Sequence, residues 1–377
     1  MTAILRAAAA FLLTATALAL GTSSAKAATP TWLSVATGGY HTCAIATNHA
    51  LYCWGQNDDG ELGLGDNKQR EEPTRVGTST SWVSVAAGTY HTCARHSSGS
   101  LYCWGDNYYR QLGVGGYEDR LTPTKVGTST KWTSVSLGSV HTCARYSSGT
   151  LYCWGDNYSG QLGLGDNDSR DTPKKVGTST SWIDVSAGGD HTCARRASGS
   201  LYCWGENGNG QLGLGDTAPR ATPVQVGTST QWVGVNSGGY HTCARHSTGS
   251  LYCWGENSQG QLGLNDTAER HKPVKVGTST QWRSVEGGEF HTCARHSSGS
   301  LYCWGQNAYG QLGIGDVLGP WKPVKVGSST SWSAVSVGAY FTCARHSSGS
   351  LYCWGHNTYG QLGVGDLDKR VTPTKVG

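Results

Sequence analysis

Charge and long apolar stretches are what this 377-residue chain has least of. Asp, Glu, Lys and Arg make up 14% of it, and the formal net charge is +4, or +2 without Arg6 and Lys26 of the leader described below. No basic tail or stripe stands out, which argues against a nucleic-acid partner. After Leu20 no apolar run reaches the length of a spanning helix, so no membrane segment is expected there. Chemistry is equally thin. A Gly-x-Ser-x-Gly elbow and a phosphate loop are absent, and no nucleophile, base and acid stand out as a set. The expectation is a non-enzyme without cofactor or metal.

The first 27 residues read as a secretory signal. Arg6 supplies a short positive region, Ala7 to Leu20 an apolar run, and Ala25-Lys26-Ala27 the A-x-A cleavage pattern. The expected organisation is therefore a signal peptide over 1–27 and one exported domain over 28–377.

That domain is a block of fifty residues copied seven times without insertion or deletion. Trp recurs at 32, 82, 132, 182, 232, 282 and 332, and again at 54, 104, 154, 204, 254, 304 and 354. Gly, at 55 residues, is about twice its usual share, as many short strands joined by tight turns require. In the third copy, Trp132 to Leu137 reads as strand A, His141 to Arg145 as strand B, Leu151 to Gly155 as strand C, and Pro173 to Val176 as strand D. Four short antiparallel strands per fifty-residue unit imply an all-β, seven-bladed propeller. A solenoid would need atypical terminal repeats, and both terminal copies are nearly standard. Strand A of the first copy lacks a preceding Pro-x-x-Val strand, so the last strand, Pro373 to Gly377, is expected to complete the first blade.

All 14 cysteines fall in pairs ten apart: Cys43 and Cys53, Cys93 and Cys103, Cys143 and Cys153, Cys193 and Cys203, Cys243 and Cys253, Cys293 and Cys303, Cys343 and Cys353. A three-residue Ser-Ser-Gly turn with a left-handed Gly would pair Tyr146 with Thr150 and bring Cys143 opposite Cys153. That is a non-hydrogen-bonded pair with Cα atoms about 4.5 Å apart, close enough for a disulfide. Seven such bridges suit an exported chain.

The motifs Gly-x-x-His-Thr-x-Ala, Leu-Tyr-x-Trp-Gly-x-Asn, Gly-Gln-Leu-Gly-x-Gly-Asp and Pro-x-x-Val resemble the repeat of the regulator of chromosome condensation (RCC1) family across the whole mature chain. The resemblance implies a seven-bladed RCC1-like propeller but no single activity. In export and architecture the chain is similar to a secreted bacterial member, β-lactamase inhibitory protein II, although its cysteine-paired repeats differ. The family's best-known activity, nucleotide exchange on a small GTPase, is disfavoured by export, the missing basic tail and the cysteine pattern.

Residues common to the copies belong to the frame. His at 41, 91, 141, 191, 241 and 291 is expected to brace a blade turn, and Arg at 95, 145, 195, 245, 295 and 345 to pack its stem within the blade. Asp66, Asp166, Asp216, Asp266 and Asp366 precede an Arg by four and read as loop braces. Asp166 and Asp168 leave a calcium site open, although one acidic loop without a full ligand series is weak evidence for it. Subtracting the frame leaves one variable end, the A–B and C–D loops. There lie Tyr40, Tyr90, Tyr108, Tyr109, Tyr117, Tyr158, Tyr240, Phe290, Tyr309, Trp321, Tyr340 and Tyr359. All but Tyr158 and Tyr240 belong to copies six, seven, one and two, and are the expected binding residues, since Tyr and Trp dominate interfaces. The functional expectation is a secreted, monomeric, rigid module binding another extracellular or cell-surface protein, with inhibition of an extracellular enzyme as one form of it. Multivalent glycan or cell-surface binding is the alternative. Thiol titration of the unfolded, unreduced mature protein should find essentially no free cysteine; several free thiols would contradict the pairing.

Overall fold

The computed structural model describes residues 30–377. The secretory-signal reading of residues 1–27 lies outside the described residues.

Seven four-stranded antiparallel sheets, each built from one repeat, form the blades of a propeller. Blade one comprises Trp32–Thr37, His41–Ala46, Leu51–Gly55 and Arg70–Arg75, and the other blades repeat the pattern at intervals of fifty. Strands A of successive blades touch one another all the way round the axis, including blade seven against blade one, so strand A is innermost and strand D the outer edge.

The central hairpin has the expected register. The Tyr146 amide donates to the Thr150 carbonyl at 2.9 Å, Gly149 takes a φ of 75°, and Cys143 faces Cys153. In blade one His49 holds the same turn position at φ 62°, a conformation costly for a side chain. Every expected cysteine pair is bridged. Cys43 is bonded to Cys53, Cys93 to Cys103, Cys143 to Cys153 and Cys193 to Cys203. Likewise Cys243 is bonded to Cys253, Cys293 to Cys303 and Cys343 to Cys353. The Cα atoms stand 4.1 Å apart in all seven, slightly closer than the 4.5 Å expected of the bare ladder, and among the described residues no cysteine is free.

Two expectations need correction. Strand D begins earlier than expected, at Arg170 in blade three, which places Pro173 inside the strand. Its register slips between Cys153 and Gly155, so the proline falls in a bulge on an outer strand where no neighbour needs its N–H. Blade six is the exception. Pro320 and Trp321 replace the usual start of this strand, which shrinks to Val324–Lys325.

Closure is the second correction. The last strand, Arg370–Lys375, pairs with Leu351–Gly355 in its own blade seven and does not complete blade one. Each repeat already carries four strands in spatial order, so the ring has no strand to exchange. It closes through a loop. The Gln361 carbonyl accepts hydrogen bonds from Thr42 Oγ1 at 2.8 Å and Trp54 Nε1 at 3.0 Å. The same clasp joins every other pair of blades. Gln111, for example, receives Thr142 Oγ1 and Trp154 Nε1 of the next blade at 2.8 and 2.9 Å. Two residues after the carbonyl a glycine lies on the clasped indole: a Cβ at Gly363 would stand 2.5 Å from Trp54 Nε1. No side chain fits there.

The apolar cores consequently lie between blades. Cys43, Ile45, Leu51, Cys53, Leu62 and Val76 of blade one pack against Trp82, Ala94 and Trp104 of blade two. At about 25 cal/mol per Å², an indole burying roughly 200 Å² contributes about 5 kcal/mol before entropic costs. Blade seven meets blade one through the equivalent set, with Phe341 and Leu362 against Trp32 and Trp54.

The repeated histidines brace neighbouring blades. His41, His91, His141, His191, His241 and His291 each place Nε2 at 2.8–2.9 Å from the threonine Oγ1 of the following blade. That hydroxyl spends its one proton on the clasp carbonyl, so Nε2 must donate. The imidazole is thereby held as the Nε2–H tautomer, with a buried and unpartnered Nδ1. Burial lowers these pKa values from 6.5 to about 4 at His41, His141 and His241, and to about 3 at His91, His191 and His291. Glu286, on the innermost strand of blade six, moves the opposite way. Burial, then the Asp184 charge, raises it to about 8, while Asn236 Nδ2 donates to it at 2.6 Å.

The signs of these shifts give a pH profile. Depressed histidines stabilise the fold fully above pH 6.5, and that stability is lost as pH falls through their folded values. A raised glutamate costs stability as pH climbs from its ordinary 4.5 through about 8. Denaturation midpoints should therefore be highest near about pH 7, drop steeply on the acid side and more gently on the alkaline side. Glu286→Gln should flatten the alkaline arm and steepen the acid arm above about pH 4.5. Midpoints that rise on acidification would contradict the buried neutral histidines.

Candidate binding face

The A–B and C–D loops do lie at one end of the propeller, around an axial cavity of about 680 Å³. Its floor is a ring of seven glycines, Gly38 to Gly338 at intervals of fifty. A Cβ at any of them would fall 2.3–2.7 Å from the carbonyl of the next blade's glycine. In six of the seven repeats the variable residue just before strand B lines the cavity wall: Tyr40, Tyr90, Val140, Asp190, Tyr240 and Tyr340.

On one side the aromatic rings touch in an unbroken arc. Tyr240 stacks on Phe290 at 5.6 Å, Phe290 lies 6.5 Å from Tyr340, and Tyr340 6.1 Å from Tyr40. The C–D loops of blades six and seven add Tyr309, 5.5 Å from Tyr340, and Tyr359, 5.4 Å from Tyr40. His356 fills the space between them, 4.7 Å from Tyr309. Burial lowers its pKa, so it is neutral at pH 7. Tyr40 is the most perturbed phenol. Partial burial, then Tyr340 and Glu289, raises it to about 12.

Not all the expected residues join this arc. Tyr108, Tyr109 and Tyr117 form a separate exposed cluster on blade two, with the first two rings 5.0 Å apart. Tyr90 lines the cavity without an aromatic neighbour among the described residues. Trp321 lies on Gly260 at the junction of blades five and six, away from the arc. It shares the exposed C–D loop of blade six with Val317 and Leu318, which aromatic subtraction overlooked. His356 and Tyr240 were likewise not among the expected binding residues. The signal for His356 was present: its position in the repeat reads Gln, Asp, Asp, Glu, Glu, Gln, His, as variable as any aromatic one.

Carboxylates line the cavity as well: Asp156, Asp190 and Glu289, from blades three, four and six, and among the described residues no Lys, Arg or His does. Burial raises Asp190 and Glu289, and the further influences on both come from other carboxylates: Asp156 and Glu206 on the first, Glu256 on the second. Among the described residues no group of three His, Cys, Asp or Glu could hold a metal ion. Asp166 pairs with Arg170 at 2.7 Å, and the other four Asp–Arg braces are formed likewise.

The opposite end carries the nearly constant turns. Its repeated arginines bond within their own blades, as Arg145 does to Ser134 and Arg295 to Ser284, and their guanidinium heads also reach the next blade. Arg145, Arg195, Arg295 and Arg345 donate through Nη1 to the carbonyls of Trp182, Trp232, Trp332 and Trp32 in the following blade. They act as a second inter-blade tie.

The RCC1-like domain model matches residues 17–235, and the RCC1 repeat model matches 248–295, 298–345 and 348–377. The chain belongs to the RCC1 family. Prp20p of Saccharomyces cerevisiae, crystallised in work on its binding to Gsp1p and histones, is 25% identical with a TM-score of 0.80, over 88% of this chain and 87% of that one. Human WBSCR16 shares the fold at 22% identity and a TM-score of 0.78, over 87% and 94%. The human probable E3 ubiquitin-protein ligase HERC3 is 48% identical over 42 residues, 11% of this RCC1-family chain and 4% of the ligase's length. Among the described residues no helix is long and apolar enough to cross a membrane. The seven disulfides fit an oxidising compartment.

The two tyrosine environments should separate chemically. Tetranitromethane attacks phenolate, so mild nitration should reach exposed Tyr108, Tyr117 and Tyr158 well before Tyr40. Peptide mass spectrometry would read the order, and equal rates would contradict the packed arc.

Proposed function

We propose that this protein is an exported, non-enzymatic binding module that takes another extracellular or cell-surface protein onto its A–B/C–D face. The observation that carries this reading is the aromatic arc from Tyr240 to Tyr40 with Tyr309, His356 and Tyr359, assembled from four blades and wrapped around a concave mouth. Large rings already immobilised by one another lose little entropy on binding and offer much area to bury. The frame beneath is tied by disulfides and inter-blade clasps, so the face is preformed. Equivalent glycan sites in most blades would call for similar loops, whereas the aromatics crowd one arc. Inhibition of a secreted hydrolase is the specific form to test first.

The test is capture from the producing cell's secretome with three proteins. These are the native chain, a triple variant (Tyr309→Ala, Tyr340→Ala and Tyr359→Ala), and a control altered at Ser148 and Ser348 of the opposite end. A protein retained by the native chain and the control but lost at least tenfold by the arc variant supports the face. Identical capture by all three would sink it. A panel of secreted hydrolases including β-lactamases, assayed with the same proteins, decides whether binding inhibits.

A further inference from the structure

The axial mouth combines the aromatic arc with carboxylates. Tyr240, stacked on Phe290, is the arc's end on blade five and lines the cavity together with Glu289 and Asp190. Burial raises its phenol, and Glu289, Asp190 and Glu256 raise it further. Glu289 comes from the A–B loop of blade six and leans over Gly239 of blade five, its Cγ about where a Cβ on that glycine would need room, 3.1 Å away. Asp190 comes from the A–B loop of blade four. These two carboxylates face one cavity, neither forms an ion pair among the described residues, and nothing positive lines the wall. Five other loop carboxylates, Asp66, Asp166, Asp216, Asp266 and Asp366, are matched by arginines.

Unmatched, partly desolvated carboxylates that line one cavity with tyrosine rings favour a cation, which both the negative charge and the ring quadrupoles attract. The cavity is too large for a bare ion held by fixed ligands and lies within the roughly 300–1,000 Å³ of sites that enclose an organic group. Building on the protein-binding face, we propose that the axial cavity receives a cationic side chain, arginine or lysine, presented by an exposed loop of the partner, with Glu289 and Asp190 as counter-charges and Tyr240 and Tyr340 as the flanking rings. The aromatic arc then buries the partner's surface around this anchor.

The site can be probed without the partner. Nα-acetyl-arginine N-methylamide and its uncharged citrulline counterpart would be titrated into the disulfide-intact protein by ligand-observed NMR at low salt. The arginine probe should bind with a Kd on the order of millimolar, and the citrulline probe at least about tenfold more weakly. Combining Glu289→Gln with Asp190→Asn should weaken the arginine probe at least about fivefold, while near-UV circular dichroism and the seven disulfides stay unchanged. Equal binding of the two probes, no binding of the arginine probe at about 50 mM, or indifference to the double variant would overturn the proposal. A partner captured by the arc yet insensitive to the double variant would leave the binding face standing and remove the cation site. Probe binding without any captured partner would do the reverse.

Discussion

One backbone carbonyl per blade holds this ring together. Each sits in a C–D loop and receives a threonine hydroxyl and an indole N–H from the following blade, at 2.8–3.0 Å in all seven junctions. The acceptor is main chain, so its side chain is free to change: Glu61 stands in blade one where the other six have Gln. The donors are not free. Losing either would leave a buried acceptor half satisfied, at roughly 1–3 kcal/mol. The glycine that lies on the indole, and the histidine that donates into the threonine, follow from the same contact.

This clasp explains how a ring of identical blades closes without sharing a strand. A propeller whose terminal blade mixes both chain ends ties the ring by sheet hydrogen bonds. Here the tie between blades seven and one is the same loop contact that joins all the others, reinforced by the Trp32 amide to the Gly349 carbonyl at 2.9 Å. Closure therefore asks nothing special of either terminus. The one departure is Phe341, which stands in place of the seventh histidine beside the first blade and leaves Thr42 with its carbonyl bond alone. A buried phenyl needs no donor partner, so the substitution costs only that bond.

Period and composition were enough to read seven blades, four strands each, and the cysteine register, because those depend on local alternation and on a turn of fixed length. The hairpin from His141 to Gly155 is the clearest case: the Ser-Ser-Gly turn alone sets Cys143 against Cys153, and the same turn length sets Cys203, Cys253, Cys303 and Cys353 against their partners. What resisted reading lies between blades. Nothing in a single repeat says that Arg145 bonds a carbonyl 37 residues later, or that Gln111 is caught by Thr142. Strand D was misplaced because its proline falls in a bulge, which has no alternation to announce it. On the face, subtraction found the aromatic residues but not their grouping. Trp321 and the Tyr108–Tyr109 pair proved separate from the arc, and His356 and Glu289 escaped because only ring-bearing hydrophobic types were sought.

The mixture of rings and carboxylates at the mouth has a physical basis in this scaffold. Frame contacts near the axis are made by glycine, by main chain, by a histidine buried below the floor, and by strand-A side chains such as Ser336 to Thr37 and Asn236 to Glu286. The residues just above that floor, at positions 40, 90, 140, 190, 240, 290 and 340, therefore carry no share of the inter-blade bonding and can differ from blade to blade. Four have become tyrosine, one phenylalanine, one valine and one aspartate. A ring whose members pack only on their neighbours tolerates such drift provided adjacent choices agree. Adjacent rings stack, as Tyr240 and Phe290 do, and adjacent carboxylates raise one another's pKa, as Asp156 and Glu206 do for Asp190. The packed rings stabilise one another. The carboxylates do not: Asp190 and Glu289 are repelled by other carboxylates and form no ion pair among the described residues, a cost that an incoming positive charge would remove.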